Sequence, residues 1–252
     1  MRTEYQAVSY ELLRPAQVRA LRDKTPIAYV PFGSLEWHGF QNPLGCDSLK
    51  AHAICCEAAI KHGGVVLPPF YQGLLGYNNW GAPDWEGFTL SFNEEPTLQA
   101  VMLGITRSLV YGGWKVIVGI TGHDVAPQRD AMQRAIDTGV EGRQATGFAM
   151  MEGELHTATQ DIPYVMDHAG AWETSCMMYA YGDRVDLDTL KDKPSRELED
   201  WSMAGPEGIG GKNPLVHASA ELGAKIVKQM GDLIGAKARA ELDELLKSGE
   251  SA

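Results

Sequence analysis

IAYVPFGSLEWHGFQNPLGCD, from Ile27 to Asp47, joins an apolar run to a loop dense in chemistry. Ile27 to Phe32 is short, continuously apolar and stopped by Gly33, the pattern of a buried strand. Beyond it, Leu49, Ala53, Cys56 and Ile60 recur at helical spacing until His62-Gly63-Gly64 ends the helix. Between the two lie Glu36, His38 and Asp47. Glu36 and His38 are two residues apart, so in extended chain both point to one side. A Pro-Leu-Gly turn can fold Asp47 back toward them. Two carboxylates and an imidazole suit zinc, manganese or iron better than calcium. A plainer reading has Asp47 capping the helix, with Glu36 and His38 solvated.

The rest of the chain continues the alternation. The pattern predicts a helix over Pro15 to Lys24, a strand over Val65 to Pro68 and a helix over Glu95 to Tyr111. A strand over Lys115 to Ile120, a helix over Pro127 to Thr138 and a short strand over Gly147 to Met151 follow. Helices over Trp172 to Tyr181 and from His217 to about Lys247 complete the set. Continuously apolar strands alternating with helices indicate a mostly parallel sheet covered on both faces. Ligands in such sheets sit beyond the carboxyl ends of the strands. The Glu36/His38 loop and Thr121-Gly122-His123-Asp124 both follow predicted strands, so both belong on that rim.

With 252 residues and no evident linker, residues 1–252 are expected to form one domain. A formal net charge of −11 disfavours a nucleic-acid or anionic-membrane partner. No apolar run approaches membrane-spanning length, and the N-terminus has no signal-peptide core. Cys46, Cys55, Cys56 and Cys176 follow no metal-finger spacing and are expected as buried thiols in a reducing cytoplasm. The long stretch YQGLLGYNNWGAPDWEGFTLSFNEEP, Tyr71 to Pro96, reads as a binding loop or lid. It holds Tyr77, Asn78, Asn79, Trp80 and Trp85, with no Arg or Lys from Tyr71 to Glu95. These residues, with Trp37 and Trp172, suit a flat or ring-shaped neutral molecule. Packing of the loop, or of a subunit contact, accounts equally for some of them.

Three segments in order resemble the creatininase (creatinine amidohydrolase) family: PFGSLEWHGFQNPLGCD, then TGHD, then HAGAWETS at His168 to Ser175. The resemblance implies a three-layer α/β/α sandwich and a metal-dependent hydrolase. It implies Glu36, His38, Asp47 and His123 as ligands to two divalent ions, zinc or manganese, with Asp47 bridging. Creatininase proper places a glutamate where this chain has Val125, so Glu173 is expected as the remaining ligand. His168 is implied as proton carrier to the leaving group, a task an imidazole suits near neutral pH. Asp124 is expected to orient His123, to cap the next helix, or to meet substrate directly. Water activated between the ions would attack a carbonyl carbon, without a serine nucleophile. The substrate is expected to be a cyclic amide or an oxidised cyclitol. A scaffold without activity, or a metal-dependent isomerase or dehydratase of a sugar-like ketone, are the alternatives. The resemblance also implies a homo-oligomer, such as a hexamer.

Overall fold

The computed structural model describes residues 1–75, 90–92, 94–156, 159–163, 166–193, 196–203 and 205–249. In chain order the elements are α1 (Pro15–Lys24), β1 (Ile27–Phe32), α2 (Cys46–His62), β2 (Val65–Val66), α3 (Glu95–Tyr111), β3 (Val116–Thr121), α4 (Ala126–Val140) and β4 (Thr146–Met151). After these come α5 (Glu152–His156), α6 (Ala171–Tyr181), β5 (Asp200–Trp201), β6 (Gly211–Lys212), α7 (Pro214–His217) and α8 (Ala220–Gly249). The terminal helix expected from His217 begins instead at Ala220, after a short helix that ends at His217 and that Asn213 caps by accepting from Leu215 N–H.

Strands β1 to β4 form one wholly parallel sheet in the order β2-β1-β3-β4. Alternate residues of each central strand serve opposite faces. Tyr29, Val116, Val118 and Ile120 join the core built with α2, α6 and α8. Ala28, Val30, Phe32 and Ile117 join the one built with α3 and α4. Because neither face meets water, these strands read as unbroken apolar runs. Small residues, among them Ala51, Cys55, Ala58 and Ala59, fill the buried side of α2. All four cysteines are buried and unpaired. No helix among the described residues is long and apolar enough to cross a membrane.

The strand order fixes where a ligand can sit. From β1 the chain turns through α2 to β2, whereas from β3 it turns through α4 to β4, on the other side. The carboxyl ends of β1 and β3, paired up to Phe32 and Thr121, therefore flank a crevice at a topological switch point. Asp47, in the first turn of α2, is lodged there between two glycines. A Cβ on Gly33 would fall 2.6 Å from Asp47 Cβ, and one on Gly122 would fall 2.2 Å from Asp47 O. Both positions need the missing side chain for backbone to approach this closely.

Two glycine substitutions should therefore behave oppositely. Gly104 lies within α3, where an added Cβ meets nothing within 4 Å. Gly104→Ala is expected to stabilise by about 0.5–1 kcal/mol through helix propensity. Gly122→Ala is expected to destabilise by about 1–3 kcal/mol through overpacking. Denaturant midpoints measure both, and a neutral Gly122→Ala would contradict the lodged position of Asp47.

Candidate metal centre

The loop after β1 is tied down before it delivers its side chains. Glu36 N–H donates to Leu44 O (2.9 Å), and His38 Nδ1 lies 3.1 Å from Glu36 O. That contact turns Nε2 of His38 inward, 3.0 Å from Asp47 Oδ1 and 3.4 Å from Glu173 Oε2. The turn after β3 is fixed by Thr121, whose hydroxyl donates to His123 O (2.7 Å) and accepts from Gln128 Nε2 (2.7 Å). His123 Nδ1 then stands 2.9 Å from Glu36 Oε2 and 3.1 Å from Asp47 Oδ2. Asp47 thus turns one oxygen to His38, which also meets Glu173, and the other to His123, which also meets Glu36.

Glu173 and His168 arrive from the third motif. Asp167 organises the start of α6, accepting from Trp172 N–H (2.8 Å) and Glu173 N–H (3.2 Å). Ala169 adopts a left-handed backbone (φ 55°) and donates its N–H to Glu173 Oε2 (2.6 Å). The glycine-rich segment holds His168 by a reciprocal backbone pair with Gly210 (3.0 and 2.8 Å). The His168 ring stacks on His38 at 4.5 Å between centroids, with Nε2 2.9 Å from Trp37 O.

The electrostatics call for added positive charge. Burial alone would lower the His38 imidazole, yet Asp47 and Glu173 overcome it and push it up to about 10. His123 behaves alike: Asp47 and Glu36 outweigh burial and raise it to about 10. Asp47 is held well below the usual carboxylate range, because the two histidines overcome the burial that opposes its charge. His168 is lowered, by burial first and by His38 next, which keeps it neutral. Yet His38 Nε2, Asp47 Oδ2 and His123 Nε2 are buried without a hydrogen bond. Imidazoles and carboxylates at contact distance without hydrogen-bond alignment fit donors grouped around cations. Glu36, Asp47 and His123 could hold one ion; His38, Cys46 and Glu173 form a second group, within 4.8 Å of one another. Asp47 Oδ1 also faces the second group. The Cys46 thiol was not among the donors expected from the sequence.

Other expected residues fall elsewhere. Asp124 is exposed and accepts from Gly153 N–H (3.2 Å); it neither contacts His123 nor caps α4. Trp172 is wholly buried in the core, its indole donating to Glu152 Oε1 (3.0 Å) beneath the centre. Trp37 is partly exposed beside Phe40 and donates to Glu207 O (2.8 Å). Tyr77, Asn78 and Trp80, with Asn79 and Trp85, lie outside the described residues. Sequence reasoning missed Lys50, which is buried in contact with Glu173 and with Glu152 (2.6 Å). Its signal was a lysine three residues after Asp47, on the same face of a helix filled with small apolar residues.

A parallel α/β/α fold with carboxylate and imidazole donors converging at its switch point defines the class of protein. The chain belongs to the creatininase family: the model "Creatininase: Creatinine amidohydrolase" matches residues 11–237. The creatinine amidohydrolase of Pseudomonas putida is 25% identical over 181 residues, covering 67% of this chain and 69% of that protein. Solved structures share the fold. A manganese creatininase has a TM-score of 0.71 at 23% identity, over 93% of this chain and 98% of its own. A glutamate-to-glutamine variant creatininase of zinc–zinc type also gives 0.71 at 23%, over 92% and 97%.

Because Asp47 serves both donor groups, its loss should empty both. Purified protein is expected to carry one to two transition-metal ions per chain, and Asp47→Ala to lose most of them. Full metal retention in Asp47→Ala would contradict a shared carboxylate.

Proposed function

We propose that this protein is a hydrolase using two divalent ions, zinc or manganese, to open a small neutral ring at a carbonyl carbon. The observation that carries the proposal is Asp47, whose two oxygens face two separate donor groups at the switch point of the sheet. Relatives described with manganese and with paired zinc support the choice of ions. Glu36, Asp47 and His123 would hold one ion, and His38, Asp47 and Glu173 the other. Such ions supply an acidified water near neutral pH and polarisation of a carbonyl oxygen.

The chain's own residues do the remainder. Glu36, Asp47 and Glu173 bring three carboxylates to the site, and burial of Asp47 and Glu173 weakens solvent screening and so strengthens their hold on cations. His168 is a neutral imidazole stacked against His38, placed to take a proton and return it to the departing atom. An amide nitrogen requires that proton to leave. A carbon leaves when a neighbouring carbonyl stabilises its charge, so the same site serves a cyclic amide or an oxidised cyclitol. Val125, buried and apolar, stands where creatininase proper has a carboxylate, which tilts the reading from creatinine toward a cyclitol ketone. Trp37 offers the aromatic surface at the rim, and Trp172 supports the site from beneath.

A panel of creatinine, other lactams, lactones and inosose-type diketones, assayed with zinc and manganese, tests the proposal. Ring opening with incorporation of labelled solvent oxygen is expected for a cyclitol ketone or a cyclic amide. Product without solvent oxygen would point to isomerisation or dehydration, and silence across the panel with metal bound would point to a scaffold. His168→Ala is expected to lower turnover about 10²–10⁴-fold with metal content unchanged. A fully active His168→Ala protein would remove the residue from the mechanism.

A further inference from the structure

Lys50 sits on α2 one turn after Asp47 and is 1% exposed. A buried ammonium is costly unless carboxylates meet it. Two do: Glu152 Oε2 at 2.6 Å, and Glu173 Oε1. Glu152 opens α5 and is itself wholly buried, and its other oxygen accepts from the Trp172 indole (3.0 Å). Glu152 is thus held on one oxygen by Trp172 and turns the other, which has no hydrogen bond, to Lys50 as an ion pair.

The consequence falls on Glu173. Its Oε1 is held by Lys50, and its Oε2 accepts from Ala169 N–H and faces His38 Nε2 at 3.4 Å. Turning both oxygens toward one ion would break the Lys50 contact and strand a buried ammonium with a single partner. Glu36 is placed differently: its carboxylate is 19% exposed and meets His123, and among the described residues no lysine or arginine pairs with it. The two donor groups are thus built differently, one on a carboxylate clamped from behind and one on a partly exposed carboxylate.

We propose that Lys50, held by Glu152, is a positioning residue that restricts Glu173 to one donor oxygen. This keeps a coordination position open on the ion beside His38 and makes the two ions unequal. The proposal rests on the two-ion reading of the centre and adds to it a claim about one half.

The test compares wild-type protein with the paired variant Lys50→Met/Glu152→Gln, which removes both partners of the buried pair together. Zinc affinity is measured by competition with a chelator, and cobalt(II) absorption reports the coordination of each ion. One of the two ions is expected to bind about 10–100-fold more weakly, the usual effect of losing a residue that orients a ligand. The other should keep its wild-type affinity. The cobalt bands of the weakened ion should change, and those of its neighbour should not. Unchanged affinities and bands in a folded variant, or an equal loss at both ions, would overturn the role of Lys50. Wild-type protein that bound no ion would overturn the two-ion reading itself. If the variant does not fold, a crystal structure of zinc-loaded wild type decides. One Glu173 oxygen on zinc and the other on Lys50 is the expected result. Both oxygens on zinc, or Lys50 turned away, would reject it.

Discussion

Asp47 is a carboxylate 2% exposed, set between two imidazoles at the point where the sheet divides. Its position depends on backbone contacts that permit no side chain at Gly33 or Gly122, one glycine from each flanking strand end. Once α2 starts in that crevice, the rest is constrained. The loop after β1 must double back to bring His38 and Glu36 to its two oxygens, and the turn after β3 must present His123. The parallel sheet supplies the crevice, and the carboxylate gives it a chemical identity.

So much buried charge asks for compensation, and the structure divides that work between protein and ligand. Behind Glu173 the protein supplies its own cation, Lys50, and balances it with Glu152. Lys50 and His38 outweigh the burial that opposes the Glu173 charge and keep the carboxylate ionised. In front of Asp47 no lysine or arginine is offered among the described residues, and buried ring nitrogens and a carboxylate oxygen lack hydrogen bonds. Removing either partner of the buried pair leaves an uncompensated charge, a change that typically costs about 3–5 kcal/mol. The geometry of the donor cluster and folding stability are therefore coupled through α2, which carries both Asp47 and Lys50.

Much of this was legible in the chain. The start of α1 follows from Pro15 in its first turn, the ends of β1 and α3 from Gly33 and Gly112, and the parallel sheet from strands without polar alternation. Glu36, His38, Asp47, His123 and Glu173 could be singled out because they stand in three short motifs, and the fold brings all five together. What could not be read depends on contacts distant in sequence. Lys50 meets Glu152 and Glu173 more than a hundred residues away, so no local pattern announces the cluster. Trp172 looked like a substrate platform beside a motif, whereas helix phase turns it into the core. Asp124 follows His123 directly, yet the chain reverses there and sends its carboxylate to Gly153. β5 and β6 are two residues each, too short to show any period.

The central claim is that the two oxygens of one aspartate serve two cations. Anomalous diffraction from crystals of the protein grown with manganese tests it most directly. Two anomalous peaks are expected about 3.5–4 Å apart, one between Asp47, His123 and Glu36 and one between Asp47, His38 and Glu173. A single peak, or two peaks of which either lies away from Asp47, would contradict the account.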